Sequence, residues 1–158
     1  MPEKPLFGYK MHLAVDQGSG LVRQAILTPG HVSDKAPFLD LVQGDEAAVG
    51  ACPRAGLRPD PGADKGYDGW WYRQELARRG SADGIMAGDY RQRPLKAAGR
   101  ARNRAIGVIR APVERTFALL KRWYGYARVR YRSLVKNALQ LQLLCAALNL
   151  RRALVLAG

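Results

Sequence analysis

Residues 9–27 read Tyr9-Lys10-Met11-His12-Leu13-Ala14-Val15-Asp16, then Gln17-Gly18-Ser19-Gly20, then Leu21-Val22-Arg23-Gln24-Ala25-Ile26-Leu27. The first block loosely alternates polar and apolar side chains, as a strand with one buried face does. Two glycines in the second block permit a tight reversal, and the third block is a second, aliphatic strand. Together they predict a β-hairpin. Thr28-Pro29-Gly30 ends it, because proline cannot donate to a ladder. Ser33 then suits the N-cap of a short helix over 34–42, with Asp34 near the positive end of its dipole.

Working outward, Ala47 to Gly50 is a short apolar run that reads as a buried strand. Residues 52–62 hold three prolines and two glycines, which excludes a central strand or a helix interior. A helix is predicted over 68–79, stopped by Gly80, and a strand over 83–87. Residues 90–106 are basic and weakly patterned, and read as a mobile loop. Pro112 suits the first turn of a helix, where its missing N–H needs no partner. Val113, Phe117, Leu120 and Tyr124 follow at helical spacing as an apolar stripe. The basic segment Arg128 to Arg132 leads to a last helix, capped by Ser133 and running to about Leu154. That helix is expected to bury Leu134, Ala138, Leu141, Cys145 and Leu148. One α/β domain with a helical C-terminus is the economical architecture.

The chain has 158 residues, 47% of them apolar, enough for one core. No unbroken apolar run reaches about 18 residues, so no transmembrane helix is expected. The first ten residues lack the apolar region of a secretory signal. Cys52 and Cys145 have no metal-ligand spacing and read as reduced thiols, Cys145 as core packing. Charge is more informative. The sequence carries 26 Lys and Arg against 13 Asp and Glu, a net charge of +13. Residues 1–90 hold 10 basic and 12 acidic side chains, whereas 91–158 hold 16 basic ones and a single acid, Glu114. Such a field attracts and orders a polyanion, nucleic acid foremost. A solvated basic face without a ligand, an acidic membrane surface and a ribosomal setting are the other readings of the same charge.

Two acids are candidates for chemistry. Asp64, in Ala63-Asp64-Lys65-Gly66-Tyr67, sits between a glycine turn and a predicted helix, where an acid can point into a cleft. An ordinary turn or N-cap aspartate is the commoner occupant of such a place. Glu114 stands in a first helical turn, where the dipole alone favours a carboxylate by about 0.3–1 kcal/mol. Arg110 lies four residues before it and Lys121 seven after. At about 100° per residue both fall near the Glu114 face, if the helix reaches back to Arg110. Acids from two separate elements suit a shared hard-cation site, since Mg2+ takes one or two carboxylates and completes its shell with water and phosphate. Two-metal phosphoryl transfer normally draws on a larger acid set.

Taken in order, these residues resemble the DDE transposases of bacterial insertion sequences, in the insertion-sequence-five-like group of the insertion-sequence-four superfamily. Phe7-Gly8-Tyr9-Lys10-Met11-His12-Leu13-Ala14-Val15-Asp16 looks like the family's "GYKAHIAVD" strand. Gly18-Ser19-Gly20-Leu21 and residues 28–34 resemble the following turn and "TPANVHD". Asp64-Lys65-Gly66-Tyr67-Asp68 matches "DKGYD", whose leading Asp is the second catalytic acid. Arg110-Ala111-Pro112-Val113-Glu114-Arg115-Thr116-Phe117 looks like "RAPVERxF", which carries the catalytic Glu. The spacing of Arg110, Glu114 and Lys121 is similar to the superfamily's C-terminal signature, and residues 131–141 resemble its closing "YRGLxKNxxQL".

The resemblance implies an α/β fold of RNase H-like type, a mixed sheet with flanking helices and a helical C-terminus, forming a DDE catalytic domain over residues 1–158. It implies that Asp64 and Glu114 are catalytic and bind Mg2+ or Mn2+, and that Arg110 and Lys121 contact DNA phosphate near the cut. With DNA as partner, the basic part, residues 91–152, is expected to touch it through Arg115, Arg122, Arg128, Arg130, Arg132 and Lys136 as well. The implied reaction is nicking at the element end, then attack of the freed 3′-OH on target DNA. A homodimer, or pairing with full-length transposase, near the bacterial nucleoid and away from membrane, is the implied setting.

Three features depart from the family pattern. The family's first catalytic Asp lies on the strand before "GYKAHIAVD", and only six residues precede Phe7 here. An N-terminally truncated fold lacking that strand is therefore expected, and Asp16, which ends the second strand, is no substitute. Residues 51–63 look like an insertion of about a dozen residues ahead of Asp64. Gly107 stands where the signature often has Tyr. The combination points to a transposase whose cutting is incomplete in this chain, with three alternatives: an inactive DNA-binding remnant, a first Asp supplied by an upstream frame, or an unfolded product without function.

Overall fold

The computed structural model describes residues 8–46, 48–51, 70–88, 94–109 and 111–158. Asp64, Arg110, Cys52 and nearly all of the expected insertion at 51–63 lie outside the described residues. The elements run β1 (Tyr9–Val15), β2 (Val22–Pro29), α1 (Phe38–Leu41), β3 (Ala48–Ala51), α2 (Trp70–Arg78), β4 (Ala82–Ile85), α3 (Ala97–Ile109), α4 (Ala111–Arg122) and α5 (Leu134–Ala157). They fall into two compact units, Met1–Leu41 with Pro112–Gly158, and Val42–Ala111. The class is mixed α/β. Among the described residues the strands form two two-stranded ladders, β1-β2 and β3-β4, where one mixed sheet was expected.

In the first unit, β1 and β2 form the predicted antiparallel hairpin, from Tyr9 opposite Pro29 to Val15 opposite Val22, with an irregularity at Ala14/Val15. The turn is built on Asp16, whose Oδ2 accepts from the Ser19 backbone N–H and from Ser19 Oγ, both at 2.7 Å. Gly20 takes a φ of 73°, a left-handed conformation that glycine adopts without steric cost. One face of the hairpin buries Leu13, Val22, Ala25 and Leu27 against Leu120 and Tyr126, and against Leu141, Cys145 and Leu148 of α5. Cys145 is a free, buried thiol, as its sequence context predicts.

Side-chain amides complete the join between α5 and β2. Asn149 accepts from Val22 N–H and donates to Val22 C=O, each at 2.8 Å, and Gln142 donates to Ala25 C=O at 2.6 Å. These bonds satisfy strand backbone that a neighbouring strand would otherwise pair. The helix has 24 residues and a window of mean hydropathy 1.3, long and apolar enough by length and composition to cross a membrane. It contains no long unbroken apolar run, because Lys136 and several amides interrupt the segment. Part of the apolar content is spent on the hairpin.

The helix expected over 34–42 is a single turn, Phe38–Leu41. Pro37 is the cause: it lacks an N–H and disfavours helical backbone at the residue before it. Ser33 therefore caps no helix, and its Oγ accepts only a long, 3.4 Å bond from the Lys35 N–H. Asp34 is likewise not a dipole partner. It pairs with Lys10 at 3.1 Å, on the hairpin face where His12 is buried with Nε2 2.8 Å from Thr28 Oγ1.

In the second unit, β3 and β4 pair in parallel, Ala48 opposite Ala82 to Ala51 opposite Ile85, with α2 in the connection between them. Gly80, with a φ of 75°, stops α2 as predicted. Ser81 N–H reaches Leu76 C=O and Gly80 N–H reaches Ala77 C=O, both at 3.0 Å, the paired bonds of a Schellman ending. β4 begins and ends earlier than the predicted 83–87. The stretch 90–106, expected as a loop, is helical from Ala97. Its alanines and arginines favour helix without an apolar stripe. Arg102 donates to Ile85 C=O and Asp83 C=O, each at 2.8 Å. Asn103 exchanges two bonds with the Ala87 backbone, at 2.8 and 2.9 Å.

Candidate nucleic-acid interface

The rotation of α4 is set from inside the first unit. Leu120 is fully buried and Thr116 nearly so, and Thr116 Oγ1 donates to Pro112 C=O at 2.9 Å. With those two inward, Glu114 and Lys121 are exposed. They are seven residues apart on a continuous helix, which places them about 20° apart in rotation and about 10 Å apart along the axis. Glu114 in the first turn and Lys121 and Arg122 in the last each complement the helix dipole, a stabilising role of about 0.3–1 kcal/mol apiece that is independent of any ligand.

After α4 the chain turns at Gly125, with a φ of 63°, and Tyr126 folds back into the core, its hydroxyl donating to Asn137 C=O at 3.1 Å. The basic segment follows and is pinned at its far end. Tyr9 donates its hydroxyl to Arg132 C=O at 2.6 Å. Asn137, fully buried in the first turns of α5, donates through Nδ2 to Tyr131 C=O at 2.5 Å and Ser133 C=O at 2.8 Å, and accepts from Tyr131 N–H at 3.2 Å. Ser133 stands at the N-cap of α5 as expected but makes no side-chain cap bond; Asn137 instead ties the backbone that leads into the helix to its first turns. The guanidinium groups of Arg128, Arg130 and Arg132 are left facing solvent, and Arg115, Arg122 and Lys136 are exposed too.

The first unit thus carries Glu114 and seven of the eight expected DNA-contacting side chains on anchored backbone. Arg110, the eighth, and Asp64 lie outside the described residues. Glu114 offers a hard carboxylate oxygen donor at the surface, which suits Mg2+ or Mn2+ as one ligand. Among the described residues, no group of three or more His, Cys, Asp or Glu is placed to hold a metal ion. Asn137 was missed by the sequence reading. Its signal was available: it lies in phase with Leu141, Cys145 and Leu148 on the apolar face of α5, where an amide must find partners.

No solved structure matches the chain. A family model described as "Transposase DDE domain" matches residues 3–150, which takes in both ladders, α4 and most of α5. On that match, the chain belongs to the transposase DDE-domain family.

Proposed function

We propose that this chain acts in DNA transposition, in metal-dependent cleavage at insertion-sequence ends and transfer of the freed strand, as a domain of RNase H-like type in the insertion-sequence-five-like group. The observation that carries this reading is α4 itself: a family-matched helix that presents Glu114 and Lys121 together to solvent, beside a basic segment tied down by its backbone. Asp64 and Glu114 would hold Mg2+ or Mn2+, which would supply a Lewis acid for the phosphate and the attacking water. Lys121 and Arg110 grip the phosphate at the cut. Arg115, Arg122, Arg128, Arg130, Arg132 and Lys136 neutralise flanking phosphates. In the cut, a water oxygen bonds phosphorus and the 3′ oxygen leaves as a hydroxyl. In transfer, that hydroxyl attacks a target phosphate and a second 3′ oxygen leaves. Two copies hold the two element ends.

Nicking of a labelled element-end duplex in Mn2+ tests the reading, with the chain alone and joined to its upstream-encoded sequence. Glu114→Gln and Asp64→Asn are each expected to lower the nicking rate by about a hundredfold or more, with duplex affinity kept within about threefold. Nicking that survives both substitutions, or is absent even from the joined protein, refutes it. Binding without cutting is the second reading, and the anchored Arg128–Arg132 segment favours it because it needs no carboxylate. It predicts that log affinity falls with log salt at a slope of about −4 to −6, for five to seven phosphate contacts.

A further inference from the structure

Opposite the Glu114–Lys121 stripe, the first unit holds a cavity of about 320 Å³ walled by the hairpin turn, α4 and the C-terminal half of α5. Arg115 and Trp123 line it, about 100° and 180° round the α4 axis from Glu114. Arg151 and Arg152 line it from α5, and Gly18 and Gly20 put bare backbone at its wall. Three arginines therefore line one small space, and no acidic residue is among the lining residues. The nearest acid in the turn, Asp16, is engaged by Ser19. Like charges gathered this way repel until an anion joins them.

The groups are also oriented. Arg152 Nε donates to Ser19 C=O at 2.6 Å, one of five guanidinium donors used to fix its plane. The Arg151 guanidinium lies 4.0 Å from the centre of the Trp123 ring. The indole is still 56% exposed, so it keeps surface for a second flat partner. Guanidinium forks match phosphate oxygens, and an indole is a stacking platform for a nucleobase. An acidic peptide would use the arginines and leave the ring idle. The space is at the small end for ligand sites and admits one nucleotide; the bases of an intact duplex are stacked away from such a ring.

We infer that this cavity is a nucleotide pocket, taking an unstacked, phosphate-bearing nucleotide of single-stranded DNA, with the phosphate on Arg115 and Arg152 and the base against Trp123. The inference rests on the DNA reading above for the source of the nucleotide, and on the pocket for its chemistry. The test uses the whole chain with Trp70→Phe and Trp71→Phe, leaving Trp123 as the sole tryptophan. Its fluorescence is titrated with 5′-phosphorylated tetrathymidylate, the same strand without phosphate, a blunt duplex and polyglutamate. Saturable quenching by the phosphorylated strand, about tenfold tighter than without the phosphate, is expected. Arg115→Gln and Arg152→Gln should each weaken it about tenfold, while Arg104→Gln, an equal loss of charge in the other unit, leaves it unchanged. Circular dichroism checks that each variant is folded; Arg115→Gln leaves the Ser19 anchor intact. Absence of quenching, indifference to both pocket substitutions, or a stronger response to polyglutamate overturns the inference. Salt-dependent duplex binding with silent Trp123 fluorescence sinks the pocket and spares the DNA reading. Quenching without nicking does the reverse for cleavage.

Discussion

Asn137→Ala is the substitution from which the most is expected. The side chain is fully buried and makes three bonds, two donated to Tyr131 C=O and Ser133 C=O and one accepted from Tyr131 N–H. A hydrogen bond contributes about 0.5–1.5 kcal/mol net, so the set is worth about 3 kcal/mol. Tyr131 and Ser133 are themselves exposed, and water takes over part of what the amide gave up. A loss of about 2–3 kcal/mol follows. Asn137→Leu is the volume control: it fills the site but sets carbon against the same carbonyls, and is expected to cost at least as much. The damage should reach the basic segment, because Asn137 is what ties Tyr131 between Arg130 and Arg132. Urea unfolding read at Trp123, in the Trp70→Phe/Trp71→Phe chain, gives the energy. Amide hydrogen exchange at Tyr131 gives the locality, with about tenfold faster exchange for each 1.4 kcal/mol of local loss. DNA affinity should drop several-fold, since three arginines must then be ordered on binding. A change below about 0.5 kcal/mol, with Tyr131 exchange unaltered, would refute the argument that this amide is the anchor.

Three further outcomes are expected. Burial holds His12 below the ordinary histidine range, so the folded chain keeps it neutral while the unfolded chain protonates it near pH 6.5. Stability is therefore full above that pH and falls as the pH drops through the lowered value; urea resistance should decline from pH 7 to pH 5, less so in His12→Gln, and an identical decline in both would exclude His12 as the cause. Burial pushes the Cys145 thiol up to about 11 from an ordinary 9.0, leaving about a hundredfold less thiolate at pH 8. In a Cys52→Ser chain, iodoacetamide should label Cys145 at least that much more slowly when folded than in urea, and equal rates would contradict its burial. Asn149→Ala frees both backbone groups of Val22 and is expected to cost about 1–3 kcal/mol, with faster exchange at Val22 N–H; an unchanged Val22 amide would mean that α5 does not close the strand edge.

The parts of the fold legible in the sequence are those whose signal is local. The hairpin shows itself because period-two patterning flanks a glycine turn, and Gly80 shows itself because a left-handed residue ends α2. Pro112 announces α4, and the apolar face of α5 announces that helix. What escaped was held by partners distant in sequence. α3 lacks an apolar stripe and is fastened by Arg102 and Asn103 to backbone near β4, which no local pattern reveals. α1 shrank because one proline outweighed a good capping residue. On α5, Asn137, Gln142 and Asn149 look like interruptions of an apolar helix until their partners in the hairpin and the basic segment are seen. The candidate site divides the same way. Glu114 and Lys121 were legible from helical spacing, whereas the cavity beside Arg115 and Trp123 is closed by Arg151 and Arg152, which the sequence places 28 to 37 residues further on.

α4 gives the first unit its functional logic. Leu120 and Thr116 fix the helix from within, and everything else on it is referred to that anchor. Turning one way from the anchor leads to Glu114 and Lys121; turning the other leads to Arg115 and Trp123. The helix therefore carries a carboxylate suited to a hard cation, and Trp123, the residue that follows it with its N–H still bonded to Leu119 C=O, supplies a ring suited to a base, with a cationic segment beyond. Their relative positions do not depend on loop conformation, because the helix sets the angles and Asn137 sets the segment. Such rigidity is what phosphoryl transfer asks of a scaffold, since the reaction is governed by where phosphate and donor groups are held. The same economy explains why a chain with 16 basic side chains in its last 68 residues keeps one acid there. A carboxylate amid that field is disposable for solubility and for the basic surface; in the first turn of α4 it complements the helix dipole, and the chemistry proposed above would give it a second use.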